Sequence, residues 1–533
     1  MTTIQETASQ ILDVGQRRFW ADDYEKRMDT FADVVEGLDP AARAQLFDEI
    51  LEQDSGATMS WLTVDRLDSL AREGRITANE RSAVLEGFGD AYVAGEIGFQ
   101  DAMAFTNIFG SGAVGGIGLN PDPAQLEALL GTLSAANGGD PGFIEKFATA
   151  MLQQRLYSEP MAVLPHERDA LAGVLLNALD EAGGSSSVHN ALSSLSGGQK
   201  AALLESLASS GLAFRNPSLD GTAVRDPMAI VIEATSRHGG SQDALEMVRF
   251  VSASSTGNVL ENHFHDMDNK PYEERADALG ELFLTHGDVI LTDLTVADPG
   301  QTVGSSNDRS TVTGENLLAL SNLVRITGLN PDNPRADAVM DMVGDFAAAN
   351  IRAGNLTDQD DVNGDGEVNA LDIEARDAGN GRAAMIGAIM QDAVSSGYVD
   401  LRADIAARDA FVGFVLDVAI SAIPVGGDFA AKAITDQVSG ALGGLSEAVR
   451  DRIAESLAAI PKDLLTDAQG QLTAAAKDAI IEALPEDYQY LEGIKGESNT
   501  LIADVILSAS LRDYQLTESM GEYRSYIDQA RGD

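Results

Sequence analysis

The sequence predicts an all-α fold of several helical segments, with at most one minor β-hairpin. Three observations carry this expectation: apolar residues recur at three- and four-residue spacing, helix-start signatures precede such stretches, and β-branched runs are short and few. Composition points the same way. Apolar residues make up 44% of the 533, enough for folded units, while aromatic residues reach only 5% and Ala and Gly abound, which favours closely packed helices over a β-sandwich. A chain of this length exceeds one ordinary hydrophobic core, so about two to four compact units are expected.

Taken in order, Asp39-Pro40 marks a helix start, and Leu46, Phe47, Ile50 and Leu51 beyond it share one helical face. Val64, Leu67, Leu70 and Ala71 form a second such face. Thr77 followed by Glu80 fits the capping box, in which the first side chain satisfies a helix-end amide and the second reaches back; Thr466 with Gln469 repeats the pattern. Ala229 to Ile232 and Val289 to Leu291 are the strand candidates, being short β-branched runs. Breaks are expected at Gly183 to Ser187, in the polar stretch Asp298 to Gly314, and at Gly379-Asn380-Gly381. They suggest an N-terminal helical domain (1–182), a middle helical domain (183–300), a helical segment holding the metal loop described below (301–408), and a C-terminal helical domain with an apolar hairpin (409–533). An internal echo is also visible. Gly118-Leu119-Asn120-Pro121-Asp122 recurs as Gly328-Leu329-Asn330-Pro331-Asp332, each followed by a helical stretch ending in Ala135-Ala136-Asn137 or Ala348-Ala349-Asn350; recurrent helix-cap chemistry in an Ala-rich chain explains it more readily than duplication does.

Charge narrows the function classes. Eighty-four acidic against 36 basic residues give a formal charge of −48, which repels nucleic acid and anionic lipid and attracts divalent cations. No nucleic-acid partner is expected, and no membrane contact. With no Cys, the chain has neither disulfides nor thiolate chemistry, a composition suited to passage between reducing and oxidising compartments. Met1 to Trp20 lacks both a basic leader and a continuous apolar stretch, so export would use a route without a cleavable signal peptide.

The most specific motif begins at Asp361 and reads Asp-Val-Asn-Gly-Asp-Gly-Glu-Val-Asn-Ala-Leu-Asp, the twelve-position pattern that wraps a hard cation in oxygen ligands. Asp361, Asn363 and Asp365 supply side-chain oxygens at positions one, three and five, and Gly366 permits the sharp turn at position six. Glu367 contributes its backbone carbonyl, Val368 anchors the loop to the core, Asn369 binds through water and Asp372 closes the shell. The carboxylates of Asp361, Asp365 and Asp372 balance a divalent ion with negative charge to spare, and the flexible oxygen-rich design selects Ca2+ over Mg2+. This stretch resembles an EF-hand loop of the dockerin type, including the Val368-Asn369 pair and the terminal Asp. Dockerins normally carry two such loops, and Asn216-Pro217-Ser218-Leu219-Asp220-Gly221 has only the start of a second, with Pro227 at its closing position.

Other motifs have bland readings. Leu195-Ser196-Gly197-Gly198-Gln199 is similar to the signature of ABC-type ATPases, but no phosphate-cradling loop precedes it, and Ser196 can instead cap the helix carrying Leu203, Leu204 and Leu207. Gly110, Gly112 and Gly115 match a dinucleotide fingerprint without its strand-to-helix context. His263, His265 and His286, near Asp266 and Asp268, are half of the six histidines and the best alternative site, able to hold zinc with a carboxylate left as general base; surface or capping roles compete. Phe411 to Val425 is the most apolar segment, interrupted by Asp417 and ended by Pro424 and Gly426-Gly427 before it reaches membrane-spanning length. Its region, 411–427, resembles the apolar hairpins of bacterial polymorphic toxins and translocated effectors.

The resulting expectation is a calcium-binding, non-enzymatic structural or interaction protein, secreted or translocated from a bacterium, with calcium stabilising the fold and a protein partner possible. A cytoplasmic protein, an exported effector enzyme centred on His263 and His265, and a lipid-interacting effector using Phe411 to Val425 are the alternatives.

Overall fold

The computed structural model describes residues 3–14, 24–53, 61–106, 123–136, 141–157, 165–209, 225–251, 270–295, 306–330, 333–354, 370–395, 447–461, 479 and 523–531. The chain divides into two compact units, Met1–His238 and Gly239–Asp533. Among the described residues every regular element is a helix and none is a strand, as the periodicity predicts.

The first unit contains α1 (Ile4–Asp13), α2 (Tyr24–Glu36), α3 (Pro40–Gln53), α4 (Val64–Arg72), α5 (Ala78–Ala94), α6 (Phe99–Thr106), α7 (Pro123–Ala136), α8 (Pro141–Met151) with a π-helical turn at Leu152–Leu156, α9 (Pro165–Ser194), α10 (Gly197–Ser209) and α11 (Pro227–His238). Their starts follow local chemistry. Thr77 and Glu80 form the expected capping box, and Thr3 and Glu6 form another. Asp39 accepts the Ala42 amide at 2.9 Å ahead of Pro40, and Asp226 accepts the Met228 and Ala229 amides at 3.4 and 3.2 Å around Pro227.

Among the described residues, a cluster of aromatic rings fills this unit's core. Phe47 meets Phe31 edge-on at 5.1 Å and Phe105 at 6.1 Å; Phe105 stacks on Phe88 at 4.0 Å; Phe143 continues the chain to Phe88 at 5.8 Å and Phe147 at 5.7 Å. These rings are fully buried and stitch α2, α3, α5, α6 and α8 together. Gly87 allows the closest approach of α3 to α5, because a Cβ there would stand 3.0 Å from the Arg43 Cβ and 3.1 Å from the Phe47 ring.

The second unit contains α12 (Ser241–Val251), α13 (Lys270–Leu294), α14 (Ser306–Thr327), α15 (Ala336–Gly354), α16 (Ala370–Ser395) and α17 (Glu447–Ala458), with residues 523–531 also helical. Here the described core is mostly aliphatic, with Phe283 of α13 buried in it. α13 packs on α14 and α15, and α16 packs on both α14 and α15, burying Leu279, Leu282, Leu320, Leu323, Val339, Val343, Ile386 and Ile389. Buried polar joints add direction: Asp392 of α16 accepts from Ser321 at 2.5 Å and from Arg531 at 2.6 Å, and Asn333 donates to the Ala276 and Thr327 carbonyls at 3.2 and 2.9 Å.

Several local expectations are corrected. Both strand candidates are helical, Ala229 to Ile232 in α11 and Val289 to Leu291 in α13. Ala229, Ile230, Val231 and Ile232 are all buried, and a helix turn buried all round yields the same unbroken apolar run as a buried strand. Gly379-Asn380-Gly381 does not end its helix, since α16 runs through it to Ser395; each glycine costs about 1 kcal/mol relative to Ala, which packing against α14 and α15 offsets. Ser306 to Gly314, the last part of the polar stretch expected to be a break, lies in α14. The break at Gly183 to Ser187 is a kink inside α9, where Gly184 takes φ 66°. In the echo, both Ala135-Ala136 and Ala348-Ala349-Asn350 lie in helices, α7 and α15.

The ring cluster makes a direct prediction. Phe88→Ala should destabilise the first unit by about 3–5 kcal/mol. Urea unfolding followed by Trp fluorescence checks it, because both Trp residues, Trp20 and Trp61, belong to this unit. A loss under about 1 kcal/mol would show that the ring is dispensable.

Candidate functional site

Asp361, Asn363, Asp365, Glu367 and Asn369 lie outside the described residues, and Asp372 falls in the first turn of α16. The flanks are described. α15 is described to Gly354 and α16 from Ala370, and these two helices pack against each other. In the chain, the first five members of the ligand series stand between these two helices and the sixth stands on α16. An acidic residue in the first turn of a helix is also favoured by the positive end of the helix dipole.

Of the alternative metal set, His286 is half-buried on α13, whereas His263, His265, Asp266 and Asp268 lie outside the described residues. The same holds for Gly110, Gly112 and Gly115, for Asn216 to Gly221, for Phe411 to Val425 and for the Thr466–Gln469 pair. Among the described residues no helix is long and apolar enough to cross a membrane, and no group of three or more His, Asp or Glu side chains is placed to hold a metal ion.

Leu195 to Gln199 has a structural purpose. Gln199 Oε1 accepts from the Ser196 amide at 3.0 Å and the Ser196 hydroxyl at 3.1 Å, while Ser196 Oγ accepts the Gln199 amide at 3.4 Å, closing a reciprocal cap on α10. The remaining Gln199 donor reaches the carbonyls of Gln153 at 2.7 Å and Tyr157 at 3.3 Å, at the end of the π-helical turn after α8. Gln153 in turn donates to the Ser194 carbonyl at 3.1 Å. One glutamine thus starts one helix and satisfies the orphan carbonyls of another. Leu203, Leu204 and Leu207 are buried beyond the cap.

Two arrangements bring together residues that the sequence keeps far apart. Arg225 pairs with Asp180 at 2.7 Å and with Glu233. Burial works against its charge, but Glu233 and Asp180 outweigh it and raise the guanidinium above its ordinary value. Near the kink of α9, the rings of His189 and His238 lie 6.0 Å apart, with the Ser185 hydroxyl 3.0 Å from His238 Nε2. No local spacing signals this pair, since a contact between α9 and α11 is a product of their packing.

A depression of about 520 Å³ lies between α5 and α7, floored by Ala128, Gly131 and Ala135. Its polar side chains are engaged elsewhere: Arg81 donates to Asp68 at 2.7 Å, Ser82 to Glu86 at 3.1 Å, and Thr132 to its own helix at 2.9 Å. Compared with known protein families, with curated proteins and with solved structures, the chain finds no match.

The glutamine joint predicts that Gln199→Ala lowers the stability of the first unit by about 1–3 kcal/mol, measured by urea unfolding, through loss of the cap and exposure of unsatisfied carbonyls. ATP turnover should stay at background in the wild type and in Gly197→Asp alike. Turnover abolished by Gly197→Asp would contradict the structural reading.

Proposed function

We propose that this chain is a calcium-binding helical protein of structural or interaction type, in which the ion stabilises the fold of the second unit, and that it acts outside the bacterial cell that makes it or in a cell into which it is translocated. One observation carries the reading: the sequence holds a complete oxygen-ligand series whose first five members, Asp361, Asn363, Asp365, Glu367 and Asn369, stand in the chain between α15 and α16, two helices in contact, and whose sixth, Asp372, stands on α16. Its acidity and its lack of Cys support export into a calcium-rich, oxidising medium.

The surroundings of α16 support stabilisation over switching. Its far end is tied through Asp392 to Ser321 of α14 and to Arg531, so an ion at its near end reinforces a helix already held at the other. Without the ion, the negative charges of Asp361, Asp365 and Asp372, close in sequence in a chain at −48, go unscreened, and this segment should loosen first. With an affinity near 10⁻⁴ M, as in extracellular modules, ~10 mM calcium bound only by the folded state adds roughly 2.7 kcal/mol.

Titration calorimetry should show one dominant calcium site, lost in Asp361→Ala/Asp365→Ala; equal heats in both proteins would sink the assignment. Hydrogen exchange with chelator should lose protection from Asn355 to Arg376 while the helices around Leu46 and Leu67 stay protected. A rearrangement spread across the first unit would mean that calcium switches the protein instead.

A further inference from the structure

We infer that His189 and His238 form a two-histidine site for a borderline transition-metal ion such as Zn2+, separate from the calcium loop. Chain geometry creates it. α9 packs along α11, and Gly184 of α9 adopts φ 66°, ψ −162°, a conformation open to glycine and strained for residues with a Cβ. Past this kink, Ser185 and His189 meet His238, the last residue of α11.

The ring separation fits a shared ion. With each ligating nitrogen about 2.0–2.1 Å from zinc, two imidazoles in tetrahedral coordination stand roughly 5 Å apart, centroid to centroid. The observed 6.0 Å is wider than this, and side-chain rotation of either histidine closes the difference. Each imidazole already has a hydroxyl beside one nitrogen: Ser185 Oγ is 3.0 Å from His238 Nε2 and Ser193 Oγ is 3.4 Å from His189 Nε2. A ligating histidine characteristically engages its second ring nitrogen in such a hydrogen bond, which fixes the tautomer that keeps a lone pair for the metal. Among the described residues no hydrogen bond to either Nδ1 is seen. His238 is exposed and His189 half-buried, so an ion can enter and water can complete its shell.

Ligand chemistry separates this site from the loop at Asp361 to Asp372. Imidazole suits zinc, copper and nickel, whereas the loop's oxygen donors suit calcium, so calcium should not compete for the histidines. With two protein ligands the site fits an ion that tethers the end of α11 to the second half of α9.

The test is a Zn2+ titration of the full chain saturated with calcium. Wild type should bind zinc in calorimetry; His189→Gln and His238→Gln should each weaken that binding by about tenfold or more, and the double variant should lose it, with calcium heats unchanged. Cu2+ added to wild type should show coupling to two nitrogens in its electron paramagnetic resonance spectrum, falling to one in either single variant. Because His238 is exposed and neither side chain fills the core, the variants should melt like wild type without zinc. Zinc binding undiminished in the double variant, or lost only in His263→Ala/His265→Ala, would overturn the assignment.

Discussion

An α-helix leaves its first four N–H and last four C=O groups without intrahelical partners, and a protein assembled from many short helices accumulates such groups faster than it accumulates core. Everything else in this structure is arranged around satisfying them. At helix starts the answer is local: Thr3, Asp39, Thr63, Thr77, Ser196 and Asp226 each accept an amide of the first turn that follows. At helix ends backbone turns supply part of the answer, as at Gly74 and Gly95, which take φ 71° and 83°, and another helix supplies the rest. Arg43 of α3 donates to the Val35 and Leu38 carbonyls after α2 at 3.1 and 3.0 Å, Lys146 of α8 donates to the carbonyls of Tyr92 and Val93 on α5, and Gln199 of α10 serves Gln153 and Tyr157. The same bonds that complete one helix therefore fix the position of its neighbour.

The aromatic cluster works with these polar joints rather than apart from them. Lys146 sits 4.9 Å from the centre of the Tyr92 ring while it caps the end of α5, and burial pushes the Tyr92 hydroxyl up to about 12, which keeps the phenol neutral inside the packed interface. Arg43 likewise combines its carbonyl contacts with an ion pair to Glu86 at 2.8 Å. Burying rings supplies the larger share of the stabilisation; the charged side chains determine which helix ends meet.

Acidic excess has a complementary consequence. With 36 basic residues against 84 acidic ones, several arginines serve two carboxylates at once: Arg75 holds Glu25 and Asp29, Arg225 holds Asp180 and Glu233, and Arg335 holds Asp277 and Glu281. Exposed pairs of this kind contribute little each, but they relieve like-charge repulsion between neighbouring helices. The remaining negative field favours cations, and the proposed calcium loop adds further acidic side chains within it.

Sequence alone determined the helical class, because apolar spacing such as Leu46, Phe47 and Ile50 and caps such as Thr77 with Glu80 act within one or two turns. The calcium reading is of the same kind, since consecutive residues carry its whole ligand pattern, and it is a chemical expectation rather than an observed geometry. Tertiary structure decided what depends on neighbours. It made helices of Ala229 to Ile232 and Val289 to Leu291, carried α16 through Gly379 and Gly381, joined Asp392 to Arg531, and brought His189 to His238. Local propensities differ by about 1 kcal/mol or less per residue outside proline, so burial against a neighbouring helix overrides them, and the identity of that neighbour is written in no short window of the chain.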